Sequence, residues 1–142
     1  MTLISRRATV VAAAALLAAA TGLASAATAH VRVRLKGSQE VPAVNTTASG
    51  YGVIQIAADG TVSGKVTTRG IKATMAHIHE AAPGQDGPPI IALAAGPHGT
   101  WLVPAGSKLS PDQYRAFKAG DLYVNVHSKA HPGGEIRGQL EP

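Results

Sequence analysis

Short segments in which apolar and polar residues strictly alternate are the feature that most limits how this chain can fold. In residues 30–36, Val31, Val33 and Leu35 alternate with charged side chains. A β-strand places successive side chains on opposite faces, so this spacing predicts a strand with one apolar and one charged face. The same alternation recurs in residues 122–127. The pattern predicts an antiparallel sheet that covers a hydrophobic core with one face.

A hairpin is predicted around Asp59 and Gly60. Residues 51–58 and 61–68 flank this dipeptide and both have strand character. Asp-Gly is favoured in two-residue hairpin turns because both central residues can take positive φ. The sequence therefore predicts two paired strands joined by a two-residue turn.

A short helix is predicted after Ser110. Ser110 is typical of an N-cap, Pro111 of the first helical position, and Gln113 of the third residue of a capping box. The helix is expected to run to about Lys118 and to end at Gly120.

With 142 residues, the chain is long enough for one domain with one core. The remaining strands are predicted at residues 71–79, 90–94, 100–103, 121–128 and 135–140. About eight short strands and one short helix favour an antiparallel β-sandwich.

The N-terminus has the pattern of an export signal. Arg6 and Arg7 precede an apolar run at residues 8–20, and small residues follow at 24–26. This order of a cationic start, an apolar segment and a small-x-small site is typical of signal peptides. We therefore predict that residues 1–26 are a signal peptide and that the protein is exported, to the periplasm or outside the cell.

Residues 27–142 would then form the mature domain. Cleavage after Ala26 is preferred, but cleavage after Ala27 or Ala29 also fits the small-x-small pattern. Cleavage after Ala29 would make His30 the N-terminus, where its imidazole and the terminal amine can bind copper.

Charge and cysteine content exclude several classes of function. Loss of the two leader arginines lowers the net charge from +5 to +3, and the remaining charges are scattered, so no nucleic-acid footprint is predicted. No membrane span is predicted in the mature chain. The chain has no cysteine, so it forms no disulfide and any metal must be held by nitrogen and oxygen.

The order of apolar and polar residues around His77 and His79 does not fit one unbroken strand. In an unbroken register, both histidines would share a face with Met75, and Ile78 would point away from the core. A bulge near Met75 or Ala76 would turn Ile78 inward and place both histidines outside, and bulges are common beside functional sites.

These histidines form a candidate metal site. His77 and His79 at i and i+2 can reach one ion if a third imidazole comes from a neighbouring strand, and His127 is the expected third ligand. His131 or His98 can supply a fourth ligand from a loop. Imidazole suits copper and zinc, so one of these is the predicted metal.

The alternative is that the His-x-His pair is structural and hydrogen-bonds to backbone or to Glu135, holding the loop of residues 81–89. Glu80 and Asp86 can act as ligands or can orient an imidazole, but acids beside glycine-rich loops are commonly turn formers. Glu135 and Arg137 are expected to form a structural ion pair with each other or across strands. Short motifs such as His-x-His leave both interpretations open.

Six segments together resemble the CHRD domain, the module that is repeated in the animal protein chordin and found alone in many exported bacterial proteins. They are Lys-Gly-Ser-Gln-Glu-Val-Pro at 36–42, His-Ile-His at 77–79, Gly-Pro-Pro-Ile at 87–90, Gly-Thr-Trp at 99–101, Ala-Gly-Asp-Leu-Tyr-Val-Asn-Val-His-Ser at 119–128 and Pro-Gly-Gly-Glu-Ile-Arg-Gly-Gln-Leu at 132–140. The resemblance covers residues 30–140. It implies an immunoglobulin-like β-sandwich and an exported location, and it implies no general enzymatic activity.

The His-x-His-Glu run at residues 77–80 also resembles the copper-binding strand of copper/zinc superoxide dismutases, which are β-sandwiches too. The disulfide cysteines and the dense zinc-loop histidines of that family are missing from this sequence. The resemblance therefore does not imply dismutase activity.

Three functions remain open from the sequence. The first is an exported binding or interaction module that holds copper or zinc and has an extracellular protein partner. The second is a copper-dependent oxidoreductase that leaves one metal position open to a small oxidant. The third is a purely structural protein of the cell envelope. No nucleophilic triad, phosphate loop or pair of catalytic carboxylates is recognised in the sequence, so an enzyme is not the first choice.

Overall fold

Nine strands form the framework of the computed structural model, which describes residues 27–142. The predicted signal peptide, residues 1–26, lies outside the described residues. The strands are β1 (Thr28–Lys36), β2 (Ser49–Ala57), β3 (Val62–Arg69), β4 (Ala73–Glu80), β5 (Pro89–Ala92), β6 (Ala94–Ala95), β7 (Thr100–Leu102), β8 (Leu122–Ser128) and β9 (Ile136–Gln139). One α-helix, α1 (Pro111–Ala119), and two short 3-10 helices, Gly37–Gln39 and Pro97–Gly99, complete the described elements. No helix in this part of the chain is long and apolar enough to cross a membrane.

The strands form one antiparallel sheet with the order β5-β4-β8-β9-β1-β2-β3-β7-β6. The two strands at the ends of this order, β5 and β6, are separated in the chain by Leu93 alone. The backbone N–H of Leu93 donates to the carbonyl of Ala76 in β4 at 2.9 Å. The sheet therefore curves until its two edges almost meet.

The curvature encloses one hydrophobic core. In β1, Val31, Val33 and Leu35 are buried and the intervening charged residues are exposed, as the alternation predicts. Inward side chains from the other strands join the same core cluster. An apolar sheet face must be buried against another element, and here it is covered by the opposite wall of the same sheet and by α1, through the fully buried Phe117.

The prediction of an antiparallel all-β fold with one short helix is confirmed. The immunoglobulin-like or superoxide-dismutase-like sandwich is not confirmed, because the described strands form one continuous sheet. The strand predicted at residues 90–94 is divided at Leu93, which points into the core with 7% exposure. This division gives nine strands rather than about eight.

The hairpin between β2 and β3 is confirmed, but its turn differs from the prediction. Gly60 has a φ of 86°, whereas Asp59 is not among the described residues with positive φ. The Gly60 N–H donates to the Ala57 carbonyl, and the Ala57 N–H donates to the Thr61 carbonyl, each at 2.9 Å. The Asp59 carboxylate accepts from the Thr61 N–H at 2.9 Å. These bonds stabilise a three-residue loop, so the prediction of a two-residue turn is wrong.

The helix begins and ends as predicted. The Ser110 hydroxyl accepts from the Gln113 N–H at 3.2 Å, and the Ser110 N–H donates to the Gln113 side-chain oxygen at 2.8 Å. Gly120 ends the helix with a left-handed φ of 82°. The capping box therefore satisfies two backbone groups at the first turn.

We expect Ser110→Ala to lower the free energy of unfolding by about 1 kcal/mol, because the Gln113 N–H loses its acceptor. Ser110→Asp restores an acceptor at the same position and should recover most of the loss. Urea unfolding of the three proteins measures both effects. Equal stability of the alanine variant and the wild type would show that the cap does not contribute.

Candidate metal centre

A bulge in β4 fixes which residues face outward. The pairing of β4 with β8 changes register between Ala73 and Met75. After this point Ala76 and Ile78 are both 1% exposed and belong to the core. The predicted bulge is confirmed. It lies immediately before Met75, and it turns Ile78 inward as expected.

Three histidines therefore lie together on the outer side of the sheet. His77 and His79 alternate with the buried residues of β4, and His127 comes from the adjacent strand β8. Each of the three side chains offers a ring nitrogen, and these nitrogens all lie within 4.8 Å of one another. The Nδ1 atom of His77 and the Nε2 atom of His127 are 3.1 Å apart. This spacing brings the three histidines close enough to hold a metal ion.

Backbone carbonyls orient two of the three rings. The Nδ1 of His79 lies 2.8 Å from the Gly87 carbonyl, and the Nδ1 of His127 lies 2.8 Å from the Pro132 carbonyl. A carbonyl oxygen only accepts, so each Nδ1 donates in these two bonds and each Nε2 is the nitrogen left to face the cluster. The Nε2 of His79 is buried and has no hydrogen-bond partner. Carbonyl anchoring of the distal nitrogen is the usual way in which proteins orient a metal-binding imidazole.

The environment keeps the β4 imidazoles uncharged. Burial lowers the pKa of His77 below its ordinary value of 6.5, and the neighbouring His127 and His79 lower it further. Burial also lowers the pKa of His79, and this effect outweighs the Gly87 carbonyl and the Asn125 side chain, which both raise it. Both rings are therefore neutral at neutral pH, which is the form that binds a metal.

Tyr123 packs against one face of the His79 ring, and Arg137 packs against Tyr123. The Tyr123 ring stacks on His79 with a centroid distance of 4.9 Å and an interplanar angle of 13°. The Arg137 guanidinium carbon lies 3.5 Å from the centroid of the Tyr123 ring. The three groups form a continuous stack, and Arg137 is only 1% exposed.

The same arginine fastens the loop that covers the site. Its guanidinium donates to the carbonyls of Gln85 at 2.7 Å and Ala82 at 3.2 Å, and it lies 3.4 Å from the Asp86 carboxylate. The Gly87 N–H donates to the Tyr123 hydroxyl at 3.3 Å. The loop between β4 and β5 is therefore bound to the stack at several points, which explains how an arginine can be buried there.

A second buried polar group adjoins the site. The Glu40 side chain is 6% exposed and Asn125 is 2% exposed. Burial raises the pKa of Glu40 to about 7, although the positive charge of Arg137 opposes the increase. Gly134 makes room for these side chains, since a Cβ there would lie 2.6 Å from both Glu40 Oε1 and Asn125 Nδ2. The Oε1 of Glu40 and the Oδ1 of Asn125 have no hydrogen-bond partner.

The structure brings together three of the four histidines that the sequence predicts as ligands. His131 lies outside the cluster, in the turn between β8 and β9, where it lines a cavity with Glu40 and Asp86. His98 also lies outside the cluster, in the 3-10 helix Pro97–Gly99. A fourth ligand from His131 stays a prediction.

The acidic residues take structural roles. Arg137 forms its ion pair with Asp86 in the loop and not with Glu135. The Glu135 carboxylate accepts from the Thr46 hydroxyl at 2.7 Å. The alternative interpretation of the His-x-His pair is correct for one bond, because His79 does hold the covering loop through Gly87.

Sequence reasoning missed Glu40, and it assigned no role to Asn125. Alternation in β8 does place Asn125 on the polar face, between Tyr123 and His127. Glu40 follows the 3-10 helix after β1, and its burial depends on the distant turn at Gly134. No local pattern signals that contact.

Comparison with known proteins gives one family. The family model of the CHRD domain matches residues 31–140, from within β1 to the residue after β9. No curated protein and no solved structure matched the sequence.

We expect Glu40→Gln to remove a pH dependence of stability. The pKa of Glu40 in the folded protein, about 7, lies above the ordinary value of 4.5. Between these pH values the folded protein therefore keeps a proton that the unfolded chain releases. The wild type should therefore lose stability as pH rises through this window, by roughly 3 kcal/mol at pH 8 relative to acidic pH. Glutamine has no proton to lose.

The measurement is urea unfolding of metal-free wild type and variant at about pH 5 and pH 8. Other carboxylates contribute equally to both proteins, so the difference between the two pH profiles isolates Glu40. Parallel profiles would show that its carboxyl is not held protonated.

Proposed function

The chain belongs to the CHRD-domain family, and from that premise we propose that it is a binding module that holds one copper or zinc ion through His77, His79 and His127. The family membership supports a small β-domain that acts by binding. The three converging imidazoles support a metal ion as the ligand. Copper and zinc are the metals proposed because imidazole nitrogen suits both.

The buried Nε2 of His79 is the observation that carries this proposal. Its ring is fixed by the Gly87 carbonyl on one side and by Tyr123 on one face, so Nε2 cannot turn to water. A buried nitrogen without a partner is destabilising by about 1–3 kcal/mol. A metal ion between the three rings supplies the missing partner of His79, and it would replace the contact that His127 Nε2 now makes with His77 Nδ1.

One nitrogen–nitrogen distance in the cluster already matches that expected for a shared ion, and all three lie within 4.8 Å. Tetrahedral coordination with bonds of about 2.0–2.1 Å places ligand nitrogens roughly 3.3 Å apart. The His77 Nδ1 and His127 Nε2 atoms are 3.1 Å apart. His77 is the least buried of the three histidines and is the ring free to adjust when an ion binds.

The proposal includes an exported location, in the periplasm or outside the cell. The cationic start with Arg6 and Arg7, the apolar run and the small residues at 24–26 support it. The mature domain has no cysteine, so an oxidising compartment has no thiol of this protein to oxidise. A protein partner outside the cell is part of the same proposal.

The test is titration of purified protein with Cu(II), Zn(II) and, without oxygen, Cu(I). We expect one equivalent to bind, and His79→Ala and His127→Ala each to weaken binding by about 100-fold or more, since loss of a ligand exceeds the effect of losing an outer-shell partner. Circular dichroism confirms that the variants fold.

His98→Asn is the matched control, because His98 lies outside the cluster and asparagine tolerates its positive φ of 54°. This variant should bind like the wild type. His131→Ala tests the predicted fourth ligand. Weak binding that is the same in the wild type and in His79→Ala would reject the proposed site.

A further inference from the structure

Met75 is an exposed thioether beside the three histidines. It is the one methionine of the described residues, and it is 47% exposed. A lone exposed apolar side chain is ordinary on a protein surface. The register of Met75 distinguishes it, because its Cα pairs directly with that of His127.

Alternation along β4 after the bulge gives Met75 the same orientation as the histidines. Residues 75, 77 and 79 alternate with the buried Ala76 and Ile78, so Met75 shares the outer face of β4 with His77 and His79. Met75 is the only one of these three residues that is not a histidine. The sequence Met-x-His-x-His on one strand face therefore presents one sulfur and two nitrogens to His127.

The methionine side chain is long enough to reach the cluster. Directly opposed residues of an antiparallel pair have Cβ atoms about 4.5–5.5 Å apart. The sulfur lies two bonds beyond Cβ on an unbranched chain with freely adjustable torsions. Since His127 Nε2 already lies beside His77 Nδ1, the thioether can close over this pair from the solvent side.

We infer that the site binds cuprous ion, with the Met75 sulfur as the fourth ligand beside the nitrogens of His77, His79 and His127. This inference rests on the proposed three-histidine site and names the metal that the site selects. Thioether sulfur is a soft ligand that favours Cu(I), whereas Zn(II) in proteins is bound by nitrogen, oxygen and thiolate. Met75 therefore discriminates between the two metals that the histidines alone accept.

The test compares the wild type, Met75→Leu and His79→Ala under anaerobic conditions. Leucine keeps the apolar volume and removes the sulfur. Cu(I) affinity is measured by competition with bicinchoninate, and Zn(II) affinity is measured in parallel. We expect Met75→Leu to weaken Cu(I) binding by about tenfold or more and to change Zn(II) binding by less than roughly threefold.

X-ray absorption of the Cu(I)-loaded proteins provides the second readout. The wild type should show one sulfur and three nitrogen scatterers, and Met75→Leu should show no sulfur. Unchanged Cu(I) affinity in Met75→Leu, absence of sulfur in the wild type, or a preference for Zn(II) over Cu(I) would each overturn the inference.

These outcomes are separate from failure of the three-histidine site. If His79→Ala binds both metals as the wild type does, the site itself is wrong and the thioether inference falls with it. If His79→Ala loses both metals and Met75→Leu loses neither, the three-histidine site stands and the thioether inference is overturned.

Discussion

The change of phase in β4 is the constraint on which the candidate site depends. A strand has two faces, so two consecutive residues cannot both point to the core. Burial of a large apolar side chain such as Ile78 contributes about 1.5–3 kcal/mol, and this fixes the face. The extra residue between Ala73 and Met75 lets the start of β4 keep Ala73 against the core while Ile78 is also buried. His77 and His79 cannot leave the outer face without exposing Ile78, so core packing positions the imidazoles.

The stack of Tyr123 and Arg137 against His79 affects both the pKa of His79 and the position of the covering loop. Tyr123 separates His79 from the buried Arg137, and the positive charge of Arg137 adds to the burial effect that lowers the pKa of His79. The guanidinium also holds the covering loop through the carbonyls of Ala82 and Gln85. A lysine has neither the planar stack nor the several directed donors, so it could not replace Arg137 in this position. One residue therefore excludes water and helps to keep the His79 lone pair free.

Most local features of the fold could be predicted from the sequence, except the length of the turn at Asp59 and Gly60, and long-range features could not. Alternation in β1, the Ser110 capping box and the bulge before Met75 each follow from a few neighbouring residues. The polar face of β8 also identified His127. The near closure of the sheet depends on the placement of β5 and β6 at opposite ends, which no local pattern encodes.

The parts of the site that were missed are those that depend on loops. Glu40 is buried against the turn at Gly134, about a hundred residues later in the chain. Arg137 is buried because a loop folds over it, whereas the sequence predicted an ion pair of Arg137 with Glu135 or across strands. Contacts of this kind form after the sheet is assembled, so residue spacing within one strand carries no information about them.

The two sides of the histidine cluster offer different chemistry to an ion. On the buried side lie the imidazoles of His79 and His127, each held by a backbone carbonyl. On the solvent side, the exposed sulfur of Met75 is soft and mobile. An ion that enters from solvent meets Met75 and the partly buried His77 before it reaches the buried nitrogens of His79 and His127. In the proposed cuprous site, the one soft ligand, Met75, would thus lie on the solvent side, and the carbonyl-anchored imidazoles would lie on the buried side.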